Sequence, residues 1–92
     1  MNIKDIDRTT NEVRAERFAQ ERRWGEQNHS PMEWLSILVE EVGEACQAAN
    51  KAHWNDASWN DASWNDYRTE LVQVAAVACA AIECLDRHGG HP

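Results

Sequence analysis

Positive charge is scarce in most of this chain. Residues 1–30 carry six acids and six bases, whereas residues 31–92 carry ten acids and three bases, which accounts for the whole formal charge of −7. A surface so short of cations repels phosphate backbones and anionic headgroups, and this argues against nucleic-acid and membrane partners. A nucleotide that arrives with a divalent cation remains admissible. Long apolar runs are missing too: the longest, Val74 to Ile82, is nine residues, too short to span a bilayer. The first residues lack the charged-then-apolar pattern of a secretory signal. Cys46, Cys79 and Cys84 are odd in number, form no CxxC or Cys/His zinc pattern, and lie in apolar surroundings. They read as small core residues of a reducing compartment. Together these absences predict a soluble, cytoplasmic protein, and 92 residues make a single domain with a modest core.

What is present reads as helix. Met1–Arg8 is polar and expected to be a loose lead-in, with Thr9 and Glu12 forming a capping box. A first helix then runs to about Arg23, with a thin apolar face (Val13, Ala15, Phe18, Ala19) and charges of alternating sign. Trp24–His29 breaks it, and Gly25 suits a left-handed end position. This stretch offers an aromatic plate and amide groups. Arg23, Trp24, Gln27 and Asn28 are therefore candidates to hold a nucleotide, although an ordinary polar turn with Trp24 folded on the core has the same composition. Ser30-Pro31-Met32-Glu33 is the clearest local signal: a serine cap, proline at the first helical position and glutamate three residues after the cap. The second helix is expected from Pro31 to Lys51 or Ala52. A five-residue repeat, Trp54-Asn55-Asp56-Ala57-Ser58, recurs at Trp59 and again, shortened, at Trp64. A period of five aligns with neither helix nor strand, so residues 53–64 are expected to form a connector, and tryptophans stacking on a ligand are the alternative. A third helix is expected from Trp64 or Asn65 to Arg87, stopped by Gly89-Gly90, with residues 88–92 frayed. Its broad apolar arc implies more than one packing neighbour. The sum is an all-α bundle of three helices per chain, completed by homo-oligomerisation into a four-helix-bundle-like core.

The middle helix contains the chemistry. Setting Glu40 at zero on a wheel of about 100° per residue puts Glu44 near 40° and Glu41 near 100°, beside a core arc of Leu35, Leu38, Val42, Ala45 and Ala49 at roughly 140° to 220°. Glu41 is flanked by apolar residues and Glu44 borders Ile37, while Glu40 faces solvent. On the third helix Glu70 falls inside the apolar face, flanked by Asp66 and Gln73. Ionised carboxylates against apolar surroundings are costly unless paired or bound to a cation. Glu41, Glu44 and Glu70 would converge if the two helices pack side by side, either around magnesium or manganese, which prefer oxygen ligands, or around arginines of the first helix or a partner chain.

Glu40-Glu41-Val42-Gly43-Glu44 followed by Glu70-Leu71-Val72-Gln73 resembles the EExxE…ExxD signature of the MazG-like all-α nucleoside triphosphate pyrophosphohydrolases. Arg23–His29 resembles the segment before that helix in small members, and Glu70–Ala78 their last helix. The likeness covers roughly residues 15 to 87. It implies magnesium-dependent hydrolysis of a nucleoside triphosphate to a monophosphate and pyrophosphate, in the removal of unwanted nucleotides, by a homodimer or homotetramer. It also implies Glu41, Glu44, Glu70 and Gln73 as metal ligands, with Glu40 and Glu41 as the catalytic carboxylates. The motif's final aspartate is Gln73 here. That amide weakens the metal site, and a nucleotide-binding or structural oligomer with reduced turnover is the alternative.

Overall fold

Each helix begins where a side chain can accept from its first free amides. In the computed structural model, which describes residues 1–54 and 60–88, the elements are α1 (Ile3–Trp24), α2 (Pro31–Trp54) and α3 (Asp61–Arg87). The all-α expectation holds, and no strand occurs among the described residues. Asn2 caps α1, its side chain accepting from the Lys4 amide at 2.8 Å. The lead-in expected over residues 1–8 is therefore helical from Ile3 onward, and Thr9 lies inside the helix. The reason is local: Asn2 is a strong cap, Asp5 complements the positive helix end, and no breaker separates them from Thr9.

The α1–α2 turn is built as the sequence predicts. Gly25 has φ 73°, and its amide donates to the Glu21 carbonyl at 2.8 Å. The box at the start of α2 is reciprocal: the Glu33 amide donates to Ser30 Oγ at 3.3 Å, and the Ser30 amide donates to Glu33 Oε1 at 3.0 Å. The expected connector is shorter than residues 53–64. His53 and Trp54 belong to α2, and α3 starts at Asp61, because the repeat itself supplies a cap: Asn60 Oδ1 accepts from the Ser63 amide at 2.9 Å. Residues 55–59 of the repeat and Gly89–Pro92 of the tail lie outside the described residues. Trp54 and Trp64 are mainly exposed.

Helix α3 is the centre of the molecule. It packs against both α1 and α2, whose backbones do not approach each other closely. The core is small, with Trp34, Val77, Ala80 and Cys84 supported by Ile37, Leu38 and Ala81. The face of α2 turned to α3 differs from the expected one. Trp34, Ala45 and Ala52 are buried, and Ile37, Leu38, Glu41 and Ala48 half-buried, while Leu35 and Val42 are exposed. The buried arc is rotated by roughly 60° toward the acidic side, so Glu41 sits near its middle. Trp34 decides this, because one buried indole removes more apolar surface than two aliphatic residues at the edge.

Ion pairs hold α1 on α3. Arg17 donates to both carboxylate oxygens of Glu83, at 2.8 and 2.7 Å, and also to Gln20 and Glu21. Arg68 forms a second two-point contact, with Glu12. At the far end, Arg87 donates to the Gln27 carbonyl at 2.8 Å and to Asn28 Oδ1 at 3.0 Å, tying the α1–α2 turn to the end of α3. Among the described residues no helix is long and apolar enough to cross a membrane.

Candidate metal centre

Glu41 and Glu44 are three residues apart on α2, hence on neighbouring sectors of one face, and α3 runs beside that face carrying Glu70. One carboxylate oxygen from each of Glu41, Glu44 and Glu70 lies within 4.8 Å of the other two. Glu41 and Glu70 are half-buried, and Glu44 is exposed. Glu41 Oε2 and Glu70 Oε2 are buried with no hydrogen-bond partner. Within the chain, pairing with the arginines of α1 is not the arrangement found. Arg17 is engaged by Glu83 and Glu21, Arg68 by Glu12, Arg87 by Glu26. Arg14 lies over Phe18 and Arg23 over Trp24. Among the described residues no lysine or arginine forms an ion pair with the three glutamates.

The electrostatics follow. Burial, then the charges of Glu44 and Glu70, push Glu41 above the ordinary carboxylate range. Burial, the charge of Glu44 and a hydrogen bond shared with it push Glu70 up as well, with Asp66 adding to this. Two like charges a few ångströms apart in a partly wet site repel by roughly 3 kcal/mol or more. Three carboxylates gathered this closely, two of them with an unmet buried oxygen, therefore either keep a proton or take up a cation. An all-oxygen set of this kind suits magnesium or manganese and does not suit zinc.

Beside the group, α1 and α2 form the walls of a cleft floored by α3, with a volume of about 380 Å³. Its wall carries Glu41, Gln73, Trp24, Arg23, Gln27 and His29. No protein-family model, curated protein or solved structure matches this chain. The site thus stands on its own residues.

Measured against the expectations from sequence, Glu41, Glu44 and Glu70 come together. Gln73 lines the same cleft as Glu41. Glu40 is exposed and outside the group; its charge reaches Glu41, yet its side chain faces solvent. Arg23, Trp24 and Gln27 line the cleft, whereas Asn28 does not. Asn28 Oδ1 instead accepts from Arg87 and meets the Cys84 thiol at 3.7 Å, which is a role in holding the turn. The cleft residues that were not site candidates from sequence include Gln20 and Trp34. Both are buried, and nothing in a local pattern separates a core-facing side chain from one that lines a cleft.

Proposed function

We propose that this chain is a divalent-cation-dependent nucleoside triphosphate pyrophosphohydrolase, releasing a nucleoside monophosphate and pyrophosphate and serving to remove unwanted nucleotides. The observation that carries the reading is the convergence of Glu41, Glu44 and Glu70 with two buried oxygens that no donor meets. It is the arrangement expected of the EExxE…E pattern that the chain shares with MazG-like enzymes. Glu41, Glu44 and Glu70 would hold magnesium or manganese, and Gln73 could add a carbonyl oxygen. When bound, such an ion neutralises polyphosphate charge and makes water a better nucleophile.

The residues around the group have separate tasks. The three glutamates supply negative charge, and the buried oxygens of Glu41 and Glu70 are shielded from competing hydrogen bonds from water. Trp24 provides an aromatic plate at the cleft and Gln27 an amide to meet a base edge. Arg23, stacked on Trp24 at 4.7 Å, forms no ion pair among the described residues and can face phosphate. The water-orienting role passes from Glu40 to Glu41, since only Glu41 borders both the group and the cleft. The assembled form under this reading is a homodimer or homotetramer.

Gln73 supports a second reading, a nucleotide binder with weakened turnover, because the cleft that Glu41 lines carries an amide in place of the motif's carboxylate. One experiment separates the two. The protein is incubated with magnesium and a panel of canonical and modified triphosphates, and products are resolved by chromatography. Pyrophosphate and monophosphate in equal amounts, lost in Glu41→Gln, support the hydrolase. Magnesium-dependent triphosphate binding without product supports the binder, and neither binding nor product removes both.

A further inference from the structure

The indole N–H of Trp34 is a buried donor without an acceptor. Trp34 is 7% exposed, its ring is met edge-on by His29 with centroids 4.8 Å apart, and its Nε1 makes no hydrogen bond. An unmet buried donor is costly. The group it acts on is the sulfur of Cys84. Trp34, then the His29 backbone, draw that thiol below its ordinary value against the effect of burial, and Arg87 adds to this. A neutral thiol is a weak acceptor, so the indole stays unmet while the sulfur is protonated. The same sulfur is a donor toward two oxygens, Asn28 Oδ1 and the His29 carbonyl, each at 3.7 Å, and a single S–H cannot serve both. Cys84 therefore has a donor without an acceptor on hand and more acceptors than its one proton can meet. A sulfenic acid, S–O–H, answers both: its oxygen accepts, and its O–H donates more strongly than S–H. Cys84 also lines an open apolar groove of about 290 Å³ between α2 and α3, beside Leu38, Ala81 and Leu85, so an added oxygen has room.

We propose that Cys84 is an oxidation site, where hydrogen peroxide entering this groove converts the thiol to a sulfenic acid held among Trp34, Asn28 and His29. The sulfur lone pair attacks one peroxide oxygen and the O–O bond breaks. Sulfur is oxidised and the peroxide reduced, and the displaced hydroxide takes the thiol proton and leaves as water. The groove selects the reagent, because its apolar walls admit a small neutral oxidant more readily than a charged thiol or disulfide. The fold also preserves the product. Cys79 precedes Cys84 by five residues, about 140° round the helix, and lines a separate groove with Arg14 and Phe18. No thiol of α3 therefore lies beside the sulfenic acid to turn it into a disulfide. Trp34 lines both this groove and the cleft next to the glutamates, so the sulfur and the cleft share one side chain.

The inference is independent of the hydrolytic reading, since it concerns the sulfur and its neighbours alone. Exposure ranks the thiols against it, with Cys46 exposed, Cys79 half-buried and Cys84 buried, and this makes the test sharp. The native full chain is treated with hydrogen peroxide, the peroxide is destroyed with catalase, and the chain is unfolded in dimedone, a neutral cyclic diketone that captures sulfenic acids. Peptide mass spectrometry then locates the adducts. They should fall mainly on Cys84. Trp34→Phe keeps an aromatic ring and removes the N–H, and it should slow oxidation of Cys84 about tenfold. Cys46→Ser with Cys79→Ser should leave the yield at Cys84 unchanged. The ranking of the three thiols in wild type needs no variant, so it decides the matter even if Trp34→Phe loses its helical circular dichroism. Adducts mainly on Cys46, or spread evenly over the three cysteines, overturn the inference. So does a helical Trp34→Phe protein oxidised at Cys84 as fast as wild type.

Discussion

Glu41 on α2 and Glu70 on α3 each turn one carboxylate oxygen into a buried position without a donor, and Glu44 joins them within 4.8 Å. Two helices that must pack for apolar reasons are thereby made to bring acids together. Trp34, Val77 and Ala80 gain from the contact, and the carboxylates oppose it.

A cation should relieve that opposition. Magnesium or manganese at about a hundred times its dissociation constant adds about 2.7 kcal/mol to stability, which for a chain this small raises Tm on the order of 10 °C. Glu41→Gln and Glu70→Gln should remove most of the gain. Thermal melts in chelator and in added metal measure it, and identical curves for wild type under both conditions would sink the metal centre.

The dependence on pH has a definite sign. Glu41 and Glu70 lie above their ordinary value of 4.5 in the folded chain. Between 4.5 and those raised values the folded state binds more protons than the unfolded, so metal-free stability falls as pH rises through that window. Glu12 and Glu83, held below 4.5 by hydrogen bonds from Arg68 and Arg17, act oppositely. Their contribution is present above 4.5 and is lost as pH falls through their lowered values. Without metal, Tm should therefore peak in mild acid and decline toward neutrality, and Glu70→Leu should flatten the decline. A metal-free Tm that climbs steadily from mild acid to neutral pH contradicts the assignment.

Gln73→Asp puts a carboxylate into the cleft that Glu41 lines. Metal affinity, read from Tm against magnesium concentration, should tighten by about tenfold, and pyrophosphate release should increase with it. Unchanged affinity would show that this position does not reach the ion.

Arg17 links α1 to α3 through Glu83 while largely shielded from solvent, with 13% of its side chain exposed. Arg17→Ala leaves Glu83 and Gln20 without their donor and should cost about 2–3 kcal/mol in urea unfolding. Arg68→Ala, at a more open contact with Glu12, should cost clearly less. Equal losses would mean that shielding of Arg17 does not strengthen its contact.

The local features were legible because their causes are local. Ser30 and Glu33 cap each other, Gly25 takes a left-handed turn, and α3 ends at Arg87, as residues a few positions apart dictate. The start of α1 was misplaced because Thr9–Glu12 is a good capping box and Asn2 an equally competent cap. A propensity argument cannot tell which competes better once the intervening residues also favour helix. The connector was read too long for a similar reason, since the Asn60-to-Ser63 segment can serve as either a turn or a cap.

The acids of the site, Glu41, Glu44 and Glu70, were chosen by the chain itself, through spacing that sets a charge against an apolar face at a fixed angle. Which side of α2 would be buried was not settled that way. Wheels weigh each residue alone, whereas the packing surface was decided by one tryptophan, Trp34, seating itself against Val77, Ala80 and Cys84 on α3. That rotation moved Glu41 from the margin of the contact to its middle, and it left Leu35, Val39 and Val42 facing outward. Helix identity follows from short-range chemistry that a linear string contains. The orientation of one helix on another depends on a sum of contacts that exists only when both are present.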